Sequence, residues 1–148
     1  KYYLKIYYSS NTLNTTHPNS GVRYADIFGD GFYRWSVALN GKFTFAAVQT
    51  SDYDIYLHVY NWGNTGWDGQ ANVHGNPIYM ADAKLNRYYT DSYTYEKARG
   101  VAVHEIGHDL GLDDIVYPSA VMHWRTSDRI PTVPASDDIN GVKNLYGF

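Results

Sequence analysis

His104, Glu105, His108 and Asp114 are the residues whose types and spacing can do chemistry, in the stretch HEIGHDLGLDD (104–114). On a helix, His104 and His108 stand one turn apart on one face, because positions i and i+4 align. Glu105 lies about 60° around the same helix from His108, at about 100° per residue. Two imidazoles placed in this way can hold a metal while the carboxylate beside them acts as general base toward a water. A catalytic zinc needs a third protein ligand and one open position. The chain's glutamates are Glu96 and Glu105, and neither follows His108, so a downstream glutamate ligand is excluded. The remaining donors downstream are Asp109, Asp113, Asp114, Asp128, Asp137, Asp138 and His123. Asp109 adjoins His108 and points elsewhere on the helix. Gly111 can adopt a positive φ and turn the chain out of the helix, which lets Asp114 return toward the metal. Asp113 and His123 stay open as rivals for the third position.

The elements that must carry these residues read as one α/β domain over residues 1–148. YYLKIYY (2–8) is expected to be a strand, followed by a polar loop, SSNTLNTTHPNSG, rich in turn formers. Val22, Ala25, Phe28, Phe32, Trp35 and Leu39 recur at helical steps, although Gly29 and Gly31 each cost about 1 kcal/mol in helix propensity. KFTFAAVQT (42–50), DIYLHVY (54–60) and PIYMADA (77–83) are expected strands, with a short edge strand near Ala71–His74 inside a glycine- and asparagine-rich loop. A second helix over 92–112 carries the motif and stops at Gly111. Ser136 is the expected N-cap of a last helix, with Asp137 and Asp138 in its first turn.

Composition narrows the function classes. The chain has 148 residues, 44% hydrophobic and 18% charged, which is the profile of a globular domain. A net charge of −3 provides no electrostatic case for nucleic acid or an anionic membrane. No apolar run approaches the roughly 20 residues that span a bilayer. Without cysteine there is neither a disulfide nor a thiolate ligand. The 16 tyrosines fit half-buried strands and loops better than a dedicated aromatic binding surface. His17 and His58 are lone histidines and read as structural or solvent-exposed.

HEIGHDLGLDD resembles the HExxHxxGxxH/D signature of metzincins. SAVMHW resembles their Met-turn, and ASDDINGVKNLYG closely resembles the final helix of matrixins. The resemblance covers nearly the whole chain, strongly over 78–148. The aspartate in third position is similar to that of snapalysin, a small secreted bacterial protease of the same clan. What this implies is a metzincin fold of α/β (α+β) type: a twisted, mostly parallel five-stranded sheet with one antiparallel edge strand, three helices and a Met-turn. It implies a zinc-dependent endopeptidase in which His104, His108 and Asp114 bind one Zn²⁺ and Glu105 is base and then acid. Met122 and Gly111 support the site. The substrate would be a polypeptide lying along the Ala71–His74 edge, with the loop Arg125–Ala135 walling the pocket after the scissile bond. A secreted, extracellular and bacterial setting is implied, with any signal or pro-segment outside this chain. By the same analogy Asp138 bonds toward the Met-turn and Asp137 pairs with a mature N-terminus.

The chain also departs from the pattern. Of the ligands of a matrixin's structural zinc only His74 is retained, and a later histidine is replaced near Lys84, so no structural zinc is expected. Asp68, Gly69 and Asn86 leave Ca²⁺ possible. Trp124 stands where astacins place a zinc-contacting tyrosine, and it cannot ligate. Two other functions share the residues: a binding module on a disabled metzincin scaffold, and a zinc hydrolase of a non-protein amide.

Overall fold

The computed structural model describes residues 1–148. Its elements run β1 (Tyr2–Tyr8), α1 (Ser10–Asn14), α2 (Tyr24–Ala38), β2 (Phe43–Ala47), β3 (Ile55–Tyr60), β4 (Gly69–His74), β5 (Met80–Asn86), α3 (Arg87–Thr90), α4 (Tyr95–Asp109) and α5 (Ser136–Tyr146). The sheet order is β2-β1-β3-β5-β4. All pairings are parallel except β4 with β5, so β4 is the antiparallel edge strand. This is the expected five-stranded sheet, with Gly69 and Gln70 added at the start of the edge strand.

Alternation along the strands decides which face is covered. Ile6, Ile55, Leu57, Val59, Ala81, Ala83 and Leu85 are buried on one face, where α2 and α4 lie. Ala25, Phe28, Phe32 and Trp35 of α2, with its C-cap Leu39, are buried as the helical stripe requires. Gly31 is tolerated in that helix because α4 passes over it: a Cβ there would sit 3.0 Å from Ile106 Cδ1. Trp35 Nε1 then donates to Val103 O at 2.9 Å, pinning α2 to the motif helix. On the uncovered face, Tyr7, Tyr53, Tyr56, His58 and Tyr60 stack ring against ring, with Tyr56 and Tyr7 at an interplanar angle of 12°. These rings shield one another and the sheet, as half-buried strand aromatics do.

The departures are local. The expected polar loop after β1 contains α1, because Ser9 caps it through Thr12 N at 3.2 Å and Thr12 Oγ1 bonds Leu57 O at 3.0 Å. With α3, this makes five helices where three were expected. The strand expected over 77–83 is displaced to Met80–Asn86, since residues 75–79 form the turn that joins it to β4, closed by Tyr79 N donating to His74 O. The last helix is capped by Ala135, not Ser136; Ala135 N donates to Asp138 Oδ2 at 2.8 Å. His17 is structural: it is buried, with Nδ1 on Ser20 Oγ and Nε2 on Thr90 O, each at 2.7 Å.

Asp30 ties the two long helices together. It accepts from Tyr95 Oη at 2.6 Å, Arg34 Nε at 3.1 Å and Arg99 Nη1 at 3.2 Å. Burial alone would raise its pKa, but these donors outweigh burial and hold it below the usual carboxylate value of 3.8. A depressed folded pKa contributes stability that is present above the unfolded value and is lost as pH falls through the folded one. Asp30→Asn is therefore expected to cost on the order of 1–2 kcal/mol at neutral pH, allowing for solvent screening. Thermal unfolding across pH should show the gap to wild type closing below pH 3.8. A gap that is independent of pH would remove the carboxylate from this role.

Candidate active site

Local chemistry explains why the motif helix starts and stops where it does. Thr94 caps α4 by accepting from Lys97 N at 3.2 Å. Gly111, at φ 104, ends it with Gly111 N on His108 O at 2.9 Å and Leu112 N on Gly107 O at 3.0 Å. The chain then doubles back. Ile115 pairs with the segment carrying Met122: Ile115 N donates to Met122 O at 2.9 Å, and Trp124 N to Ile115 O at 3.2 Å. That short pairing fixes Asp114 immediately before it.

The result is a convergence of three donor atoms. His104 Nε2 and His108 Nε2 are 3.1 Å apart, and Asp114 Oδ1 is 3.0 Å from each. Ligand atoms on a tetrahedral ion with bonds of about 2.0–2.1 Å stand roughly 3.3 Å apart, so the spacing suits zinc. The other ring nitrogens settle the tautomers. His104 Nδ1 bonds Val121 O at 2.8 Å and His108 Nδ1 bonds Leu112 O at 2.7 Å. Each Nδ1 must donate to its carbonyl, which leaves each Nε2 with a lone pair aimed at Asp114's oxygen. Burial lowers the His104 pKa, and the adjacent imidazoles, His104 first, hold the Asp114 carboxyl below its usual value. Neutral imidazole and ionised carboxylate are the forms that bind a metal.

Glu105 stands beside this group and outside it. Its Oε1 is 4.0 Å from His104 Nε2, and the residue is 5% exposed. Burial, with the charge of Asp68 next, pushes its carboxyl well above the usual value of 4.5. The start of β4 lies against it: a Cβ on Gly69 would be 2.9 Å from Glu105 Oε1 and 2.6 Å from Val101 Cγ1, so only glycine lets the edge strand come this close. Met122 lies under the site, packed on Gly107, where any Cβ would collide with its sulfur. The pocket above holds about 790 Å³ and runs from the edge strand (Gly69, Ala71, Val73) over Glu105 and Asp114 to Trp124 and Arg129.

The remaining sequence candidates fall elsewhere. Asp113 is exposed and is not part of the three-donor group. His123 is 4% exposed, with no hydrogen bond at either ring nitrogen, and is packed beside the turn. Asp109 is buried behind the helix. Trp124 is 53% exposed, under the Arg125 guanidinium. Asp138 does bond the Met-turn, through Val121 N at 2.9 Å and Met122 N at 3.1 Å, whereas Asp137 is exposed and forms no ion pair. Arg129 is the cleft residue that sequence reasoning missed; within TSDRIPT nothing local marks it.

Two of the residues considered for calcium, Asp68 and Asn86, already have hydrogen-bond partners. Asp68 Oδ2 accepts from Tyr93 Oη at 2.9 Å. Asn86 is fully buried, and its Nδ2 donates to Gly63 O at 3.0 Å, Thr65 Oγ1 at 3.0 Å and Trp67 O at 3.3 Å. Its Oδ1 accepts from Trp62 N at 3.0 Å and Tyr88 N at 3.2 Å. The amide nitrogen thus sits where three oxygens converge, the place a cation would occupy. Asn86→Asp removes that donor and sets a carboxylate against those oxygens. The expected cost is about 2–4 kcal/mol, partly recovered in millimolar Ca²⁺, while Asn86→Leu shows no recovery. Thermal unfolding with and without Ca²⁺ checks this, and an unperturbed Asn86→Asp melt would contradict it.

Residues 4–147 match the matrixin family. Among curated relatives, human matrix metalloproteinase-26 is 33% identical over 117 residues, covering 70% of this chain and 44% of that protein. Metalloendoproteinase 4-MMP of Arabidopsis thaliana is 28% identical over 162 residues, covering 97% of this chain and 46% of that protein. Metalloendoproteinase 1 of Glycine max is 27% identical over 146 residues, covering 88% and 48%. The chain thus spans a little under half the length of these relatives. With the family match running almost end to end over a sheet, motif helix and Met-turn of the expected kind, the chain belongs to the matrixins, a family of zinc-dependent metalloendopeptidases.

Proposed function

We propose that the protein is a zinc-dependent endopeptidase whose ion is held by His104, His108 and Asp114. The observation that carries this reading is the convergence of three lone-pair donors within 3.1 Å of one another, at the floor of an open cleft with Glu105 beside them. Zinc bound there would act as a Lewis acid toward the scissile carbonyl and would acidify a water. The chain's own residues do the rest. Val121 O and Leu112 O hold the imidazoles in the binding tautomer. Glu105 accepts a proton from the attacking water as its oxygen bonds to the carbonyl carbon. It then delivers that proton to the amine nitrogen as the C–N bond breaks.

The edge strand supports a polypeptide substrate. β4 pairs with β5 on one side only, so its other edge offers free backbone groups along the cleft. An extended peptide can add there as a further strand, held by main-chain hydrogen bonds. Matrixin membership supports an extracellular place of action; no helix is long and apolar enough to cross a membrane.

Cleavage of an unstructured protein such as casein, before and after chelation, is the test. Activity is expected to vanish with the metal and to return on adding Zn²⁺. Cleavage that persists in the fully chelated protein would overturn the reading.

A further inference from the structure

We propose that Arg129 gives this cleft a preference for an acidic side chain beside the scissile bond. The inference rests on the peptidase reading above and adds the substrate class. Arg129 belongs to the loop between the Met-turn and α5, and it shares the cleft wall with Glu105. The loop is held rather than free: Thr132 packs on Gly100 of α4, where a Cβ would lie 3.2 Å from it, and Arg99 Nη2 donates to Thr132 Oγ1 at 3.1 Å.

The guanidinium itself is fixed. Nε at 3.0 Å and Nη2 at 2.8 Å both donate to the carbonyl of His123. Nη1 has no such partner, and no carboxylate approaches within the 4.0 Å of an ion pair. The acids whose charges it feels are Asp68, Glu105, Asp114 and Asp138. Three of them are already engaged. Asp68 accepts from Tyr93, Asp114 faces the two histidines, and Asp138 accepts three backbone N–H groups. Glu105 is reserved for proton transfer. Arg129 is therefore a partly buried, permanently charged cation on the cleft wall, with the N–H groups of Nη1 unengaged and no carboxylate partner. A substrate carboxylate reaching Nη1 would form a charge-assisted hydrogen bond in a site already partly removed from water, where such bonds count for most. An amide of the same shape would gain less, and a lysine side chain would meet repulsion.

Two sets of four peptides, varied at the residue before or after the scissile bond and carrying Glu, Gln, Leu or Lys there, provide the test by kcat/KM on the zinc-loaded protein. Wild type is expected to favour Glu over Gln by about tenfold or more in one of the sets, with the ratio shrinking as salt is raised. In Arg129→Gln the Glu-to-Gln ratio should fall to about one, and Arg129→Lys should keep part of it; circular dichroism and zinc content check that both are folded. Equal cleavage of the Glu and Gln peptides by wild type in both sets overturns the proposal without recourse to any variant. A ratio that survives in Arg129→Gln assigns the preference to another group and overturns it too. Failure to cleave any of these peptides, or casein, overturns the peptidase reading and this inference together.

Discussion

Glu105→Gln is expected to lower kcat by about two to four orders of magnitude while leaving the bound zinc in place. The split between the two readouts follows from geometry. The proposed metal-binding atoms are those of His104, His108 and Asp114, and Glu105 is outside that group, its Oε1 4.0 Å from His104 Nε2. Glutamine keeps the shape that fits beside Gly69, so packing should hold, but it cannot take a proton. Asp114→Ala is the contrasting variant, because it removes one of three donors and should lose zinc along with activity. Metal content by atomic absorption, with initial rates on casein, separates the two patterns. Loss of zinc from Glu105→Gln would mean that the glutamate is a ligand, and retention of most activity would dismiss it as the base.

Legibility differed along the chain for physical reasons. The motif helix and the α2 stripe were readable because burial on one side of a helix imposes a period that survives in the residue types. Even there, Gly31 argued locally against a helix, and only the close passage of α4 explains it. α1 was invisible because its stability is tertiary: five polar-rich residues are held by a Ser9 cap and by the bond from Thr12 to Leu57 O. The return of Asp114 was readable from Gly111, since only a positive φ ends the helix in that way. Asn86 shows a different limit. Its amide offers an oxygen to a cation or a nitrogen in place of one, and residue type alone does not say which end faces the loop. Arg129 was out of reach because its meaning lies in what surrounds it, the His123 carbonyl and a set of carboxylates already committed to others.

The largest stability effect is expected at Asp138, which bonds the Met-turn. Asp138 is 2% exposed and accepts from Val121 N, Met122 N and Ala135 N at 2.9, 3.1 and 2.8 Å. Removing the carboxylate in Asp138→Ala leaves three donors without an acceptor, two of them within the buried turn. The expected cost is about 3–5 kcal/mol. The consequence reaches the metal site by a short path. Val121, whose N–H is held by Asp138, presents the carbonyl that bonds His104 Nδ1 at 2.8 Å. Loosening that carbonyl frees the imidazole to rotate, and outer partners of this kind are worth about 10–100-fold in metal affinity. Asp138→Asn, which keeps one acceptor oxygen, should therefore fold yet bind Zn²⁺ more weakly by about that factor in competition with a chelator of known affinity. Asp137→Asn is the matched control, since Asp137 is exposed and its change should stay within about 0.5 kcal/mol. An Asp138→Asn protein that is destabilised but binds zinc as tightly as wild type would confine the residue to holding the turn. Weakened zinc with the fold intact would instead make the Met-turn a part of the metal site, connected through a single backbone carbonyl.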